Sequence, residues 1–334
     1  MKRFLIALAW LAFVVTSGAA ESLVLSGRAM GTAWTLKLIL KAEHGDVVGL
    51  RRQVEAKLER LEQTFSTYRP SSELSRFNAT RHLEWIAVSP ELALVAAESR
   101  RLSELTDGAF DVTVEPLVRL WGFGRERRTG AIPSAAEIAA ARENVGWRWL
   151  EVRANPPALR KVRAQITADF SSMAKGFAAD AVSALLKAAG LPNHLVQIGG
   201  DVRTGGTLAE RSGWPIAIER PLDDAPGVEG VVVLTGQAVS TSGDFRNFFR
   251  VGDQRYNHII DPRTGRPATG NLASVSVVHE SCASSSALAT ALFALGVEEG
   301  FRLATQEHVA CLFLVRDGVG FVRHATPEFE QLLR

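Results

Sequence analysis

Residues 238–269 read AVSTSGDFRNFFRVGDQRYNHIIDPRTGRPAT. This one stretch holds a Ser240-Thr241-Ser242-Gly243 turn signal, a Tyr256-Asn257-His258 step, two apolar residues, and then Asp261-Pro262-Arg263-Thr264-Gly265. A packed core has no use for so many hydroxyls, an imidazole and carboxylates at turn positions, whereas a site that holds a polar ligand and moves a proton needs them. In an extended chain His258 and Ile260 share one face, and Ile259 and Asp261 the other. A strand edge entering the Pro-Arg-Thr-Gly turn therefore presents His258 to a pocket. Histidine titrates near neutral pH and can serve as general base or acid. The plainer alternative is a structural histidine bonded to a loop carbonyl.

Outward from this cassette, periodicity divides the chain. Residues Leu23 to Leu40 alternate as one or two strands broken by Gly27 to Thr32. Apolar residues at Val47, Leu50, Val54, Leu58, Leu61 and Phe65 fall in steps of three and four, the pattern of an amphipathic helix. Residues Ser71 to Asn78 form a polar loop or short helical turn. Ser89 and Pro90 open a second helix that ends at Asp107-Gly108. Ser134 and Glu137 form a capping box. A helix runs from about Met173 to Ala189 with Gly190 as its stop. Asp169 sits at its N-terminal edge, where free N–H groups favour anions, or it serves as a plain cap. Leu195 to Ile198 is a buried strand ending in Gly199-Gly200-Asp201, where two glycines permit close approach of a ligand or merely a tight turn. Trp214 to Ile218, Val231 to Leu234 and Val275 to Val278 are further strands. Ala287 to Leu295 is a helix closed by Gly296, and Ala310 to Val315 with Gly318 to His324 makes a terminal strand pair. Strands and helices intermingle without a βαβ rhythm, which indicates an α+β fold.

Bulk properties exclude several classes. Lys2 and Arg3, the apolar run Phe4 to Val15, and Ser17-Gly18-Ala19-Ala20 form a signal peptide over residues 1–20, cleaved after Ala20. No cysteine follows the run to take a lipid anchor. Loss of Lys2 and Arg3 takes the 38 basic residues to 36, equal to the 36 acidic ones. A neutral exported chain asks for neither nucleic acid nor an anionic membrane. Cys282 and Cys311 are either bonded to each other or two buried thiols, and alone they make no zinc site. No dinucleotide fingerprint, nucleophile elbow, HExxH or P-loop is present.

These pieces, in this order, resemble the ApbE family of exported FAD:protein FMN transferases. The matching stretches are Met30-Gly31-Thr32; Ser66 to Pro70 with Ser72 to Asn78; Gly108 to Val114; Asp169 to Ala179; Ile198 to Asp201; and the opening cassette. The resemblance implies one domain over residues 21–334, with mixed sheets flanked by helices around a flavin cleft. It implies that FAD is split in the presence of Mg²⁺. FMN is then attached through its phosphate to a Thr or Ser of a partner protein, such as a subunit of a membrane redox complex, and AMP leaves. By position, Met30, Tyr68, Ala109, Phe110, Asp111, Asp169, Lys175 and Ile260 match flavin contacts. The Ser172 carbonyl and the Thr290 hydroxyl match metal contacts. His258 is expected to act as base or orienter of the acceptor, with Asp261 in support.

One position departs from the family. Its members read Ala-Asp-Ala-Leu-Ala-Thr near the final helix, the Asp being a metal ligand, and this chain reads Ser285-Ser286-Ala287-Leu288-Ala289-Thr290. Ser286 stands where the carboxylate belongs, and the nearest upstream acid, Glu280, is no obvious replacement. Three readings follow. The chain is an active transferase, as His258 and Asp261 favour; a flavin-binding carrier or assembly protein, as Ser286 favours; or an FAD pyrophosphatase, and under each reading its expected place is the periplasm.

Overall fold

A computed structural model describes residues 21–40, 46–124, 132–208, 212–222 and 227–334. The signal peptide expected over residues 1–20 lies outside the described residues. The centre is an eight-stranded sheet whose spatial order repeats its chain order: Glu21–Ala29, Thr32–Leu40, His194–Ile198, Asp201–Gly205, Ala238–Gly243, Leu272–His279, Ala310–Asp317 and Gly320–Ala325. Every neighbouring pair is antiparallel. Helices and small sheets are excursions from this meander, and that organisation is α+β.

Turn chemistry sets the sheet's register. The first hairpin closes on Met30 and Gly31, both left-handed at φ 52° and 72°, as a two-residue turn matched to strand twist requires. Gly199 and Gly200, at φ 60° and 111°, close the hairpin that ends on Asp201. Ser240 to Gly243, read above as a turn, is instead the end of a strand paired residue by residue with Ser274 to Val277. The sequence signal misleads because Ser and Thr suit either state, and here the long strand partner decides.

Three helices cover one face of the sheet: Val47–Phe65, Ser171–Ala188 and Cys282–Gln306. The first buries the expected stripe of Leu50, Val54, Leu58, Leu61 and Phe65 and is capped by Asp46, whose carboxylate accepts the Gly49 N–H at 2.7 Å. At about 1.5–3 kcal/mol per fully buried side chain, that stripe outweighs the helix's exposed Arg51–Glu55 pair, worth about 0–1 kcal/mol. The residues after Pro70 resolve into a short helix, Glu73–Ala79, capped by Ser72, and the Ser134–Glu137 capping box is present.

The last long helix differs from expectation at its start, which is Cys282, capped by Ser281. At Gly296, φ 80°, the helix breaks as its sequence indicates, and a second helical segment follows to Gln306. The first turn, at Cys282, packs against Gly176 so closely that a Cβ there would lie 2.3 Å from the Cys282 carbonyl oxygen.

A second core lies on the other face of the sheet. There Leu195, Val202, Leu312 and Leu314 meet the hairpin of Trp214–Glu219 and Val228–Leu234 and the buried Phe329. Cys282 and Cys311 are both free and buried. No helix among the described residues is long and apolar enough to cross a membrane.

Candidate active site

A cleft of about 1140 Å³ opens where the Gly199–Gly200 hairpin, the start of the Ser171–Ala188 helix, the 238–269 cassette and the Gly108–Glu115 turn converge. It is large enough for a dinucleotide. Of the residues singled out in sequence, Tyr68, Ala109, Phe110, Asp111, Asp169, Ser172, Lys175, His258, Ile260, Ser286 and Thr290 line it. Met30 and Asp261 do not.

Met30 occupies the tip of the first hairpin. Its N–H donates to Glu62 Oε2 at 2.9 Å, and its side chain packs against the main core. Asp261 turns away from the cleft. Its carboxylate accepts the Arg263 N–H at 2.9 Å and the Arg263 guanidinium at 3.1 Å, and that guanidinium also binds Glu299 at 3.0 Å. Its backbone carbonyl accepts the Gly265 N–H at 2.8 Å. Asp261 thus holds the turn that follows His258 and makes no direct contact with that histidine.

The cassette is rigid around His258. Asn257 donates to the Ala268 carbonyl and accepts the Ile259 N–H, at 2.8 and 2.9 Å. Trp121, Tyr256, Phe249 and Phe123 stack in succession, with centroids 5.2–5.6 Å apart, and Phe123 meets the His258 ring edge-on. Trp121 also donates to the Gly265 carbonyl at 2.8 Å. Gly265 is at φ 72°, and a Cβ there would lie 2.6 Å from Ile138. His258 Nδ1 lies 3.3 Å from the Asn247 carbonyl. A carbonyl only accepts, so the proton sits on Nδ1 and Nε2 carries the lone pair. Burial, with Lys175 adding to it, pushes the ring's pKa below the usual histidine value. The ring is therefore a neutral base. The two readings of His258 made from sequence are not exclusive: one nitrogen makes the loop contact and the other is left for the cleft.

The opposite wall is built on turns and helix starts. Asp111 accepts from the Thr113 N–H and hydroxyl, both at 2.7 Å, and from the Trp147 N–H at 2.8 Å. Burial still raises its pKa. Its carboxylate ties the turn that follows Phe110 to the Trp147 backbone. Asp169 precedes the helix, whose cap position is Phe170, and accepts the Ser171 N–H at 2.8 Å. Lys175, one turn on, donates to the Ser171 carbonyl at 3.0 Å. Its stem crosses Gly199, where a Cβ would come within 3.0 Å of it. Tyr68 also lines the cleft and is 63 % exposed.

At the floor, Thr290 donates to the Ser286 carbonyl at 3.1 Å and lies 3.1 Å from the Ser242 hydroxyl. Ser286 reaches Asp201 Oδ2 at 3.4 Å. Burial raises the Asp201 pKa, opposed chiefly by Lys175. Asp201, Ser242 and Glu115 line the cleft without having been assigned a role from sequence. The only signal for Asp201 is its place directly after the strand-end glycine pair. Ser242 is marked only by its place in the hydroxyl-rich cassette, and Glu115 carries no signal.

The family model described as the ApbE family matches residues 30–313. The FAD:protein FMN transferase of Vibrio cholerae is 39% identical over 334 residues, covering 100% of this chain and 99% of that protein. That of Escherichia coli K12 is 34% identical over 318 residues, covering 94% and 90%. Among solved structures, the flavin transferase ApbE from Vibrio cholerae superposes with a TM-score of 0.86 over 94% of this chain and 100% of that one. The apo flavinyl transferase ApbE of Pseudomonas stutzeri, 38% identical, gives 0.86 over 95% and 98%. By sequence and by fold, the chain belongs to the ApbE family.

Proposed function

We propose that this protein transfers FMN from FAD to a Ser or Thr hydroxyl of a partner protein and releases AMP. The observation that carries this reading is an imidazole lining a cleft of dinucleotide size, with Nδ1 held on the Asn247 carbonyl and Nε2 without a hydrogen-bond partner among the described residues. In the transfer, the acceptor oxygen bonds to the FMN phosphorus, the bond from that phosphorus to the bridging oxygen breaks, and AMP carries the bridging oxygen away. The acceptor's proton passes to His258 Nε2. Lys175 and the start of the Ser171–Ala188 helix favour the diphosphate's negative charge. The Ala109–Phe110 wall and Tyr68 suit the flat rings.

The donor set at the floor is all oxygen, which fits Mg²⁺ rather than a softer metal. The Ser172 carbonyl and the Ser286 and Thr290 hydroxyls would hold the ion, which when bound neutralises charge on the diphosphate. Export rests on the charge and apolar pattern of residues 1–20, and an exported enzyme fits a membrane redox subunit as acceptor.

Intact mass of a Ser/Thr-bearing acceptor domain after incubation with the protein, FAD and Mg²⁺ tests the reading. A gain of one FMN is expected. Bound FAD with no gain across several acceptors supports the carrier that Ser286 favours, and free FMN and AMP without acceptor supports a pyrophosphatase.

A further inference from the structure

Asp201 is 6% exposed and lines the cleft, yet its carboxylate has one hydrogen bond among the described residues, to Ser286 at 3.4 Å. No cation among them comes within 4 Å of it. A buried carboxylate with so little support is costly to the fold and calls for a further partner. Helix anchoring does not explain it. The N–H groups of Cys282 and Ala283 are taken by a different residue, Asp180, at 2.8 and 3.2 Å, together with the Ser281 hydroxyl at 3.0 Å. The neighbouring Ser240 hydroxyl is buried and closes no hydrogen bond of good geometry, though it lies near enough to Asp201 to lower its pKa alongside Ser286. Asp201 stands beside the hydroxyl at position 286, where the family pattern has a metal-binding carboxylate and this chain has none.

We infer that Asp201 supplies the carboxylate for the divalent cation in this chain, reaching from the Gly199–Gly200 hairpin to the place left by the serine at 286. The inference rests on the flavin reading of the cleft. Mg²⁺ is held by one or two carboxylates plus phosphate oxygens, and with Asp201 the floor regains that composition: one carboxylate, the Ser286 and Thr290 hydroxyls and the Ser172 carbonyl. The ligand has moved from a helix to a strand end 85 residues earlier in the chain, so spacing along the sequence does not reveal it.

The test is a Mn²⁺ titration of FAD-saturated protein, read by the electron paramagnetic resonance of free Mn²⁺, alongside FAD affinity in EDTA and a melting curve. Asp201→Asn should weaken Mn²⁺ by about tenfold or more, leave FAD affinity in EDTA unchanged, and leave the melting temperature equal or higher. The double variant Asp201→Asn with Ser286→Asp should recover most of the lost affinity. Asp201→Asn that binds Mn²⁺ as the parent does, or that melts lower, overturns the assignment. So does a loss of FAD affinity in EDTA, which would mean that Asp201 acts through Lys175. Should Asp201→Asn not fold, Ser286→Asp alone decides: beside a carboxylate it should tighten Mn²⁺ and lower the melting temperature of the metal-free protein, and neither change would sink the idea. Parent protein that binds no FAD removes the flavin reading itself; FAD binding with Mn²⁺ indifferent to Asp201 removes only the ligand.

Discussion

Asp201 and Asp261 are 6% and 7% exposed, and each adjoins a tight turn at one end of the cleft. At the cassette end, Asp261 is saturated by a backbone N–H and a guanidinium that is itself paired with Glu299. At the floor, Asp201 has a single long contact to a serine. Two histidines, His194 buried and His258 half-buried, repeat the contrast. His194 has both nitrogens engaged, Nδ1 on the Leu191 carbonyl and Nε2 on the Ser183 hydroxyl, each at 2.8 Å. His258, which lines the cleft, has only Nδ1 engaged among the described residues. Burial alone does not separate structure from function here. What separates them is whether a buried polar group's valence is filled by the protein or left for something else.

The largest effect that can break this division is at His258. His258→Ala should cost roughly 10²–10⁴ in transfer rate with little change in FAD affinity, as measured by acceptor flavinylation and flavin binding. Loss of flavin affinity instead would make it a structural histidine like His194. At the cassette end, Asp261→Ala leaves the Arg263 guanidinium with Glu299 alone and the Arg263 N–H without its acceptor, and should lower stability by about 1–3 kcal/mol in chemical denaturation, with Mn²⁺ affinity unchanged. Gly265→Ala forces a Cβ against Ile138 at a left-handed φ and should cost about 1–3 kcal/mol by the same assay.

The pH dependence separates the two histidines. Burial lowers the His194 pKa from 6.5 to about 4. The unfolded chain therefore binds the proton first, so the stability from neutral His194 is complete above pH 6.5 and is lost as pH falls toward 4. Melting temperature against pH should show that loss, and His194→Gln should flatten it. The acid limb of the transfer rate should follow His258, falling only below the usual histidine range, because its pKa is lowered as well.

Much of this was legible in the chain. The Val47–Phe65 stripe, the caps at Ser89 and Ser134 and the glycine-closed hairpins are local features, and each sits where its residues indicate. The cassette's density of polar residues located the cleft. Alternation along the strand already put Asp261 on the face opposite His258, and the structure adds what alternation does not show, that its carboxylate folds back onto Arg263 two residues on. Met30 matches the family by position, but its side chain is spent on the core. Asp201 stayed hidden because its neighbour Ser286 lies on another element, and only the folded sheet brings strand end and helix together.

The most direct measurement is Mn²⁺ affinity and melting temperature determined together for Asp201→Asn and Asp261→Asn. A cation carboxylate at 201 and a structural one at 261 predict a crossed result: the first variant loses about tenfold or more in affinity and keeps its stability, and the second keeps its affinity and melts lower. Parallel behaviour of the two, with Asp201→Asn melting lower and binding Mn²⁺ unchanged, would contradict it.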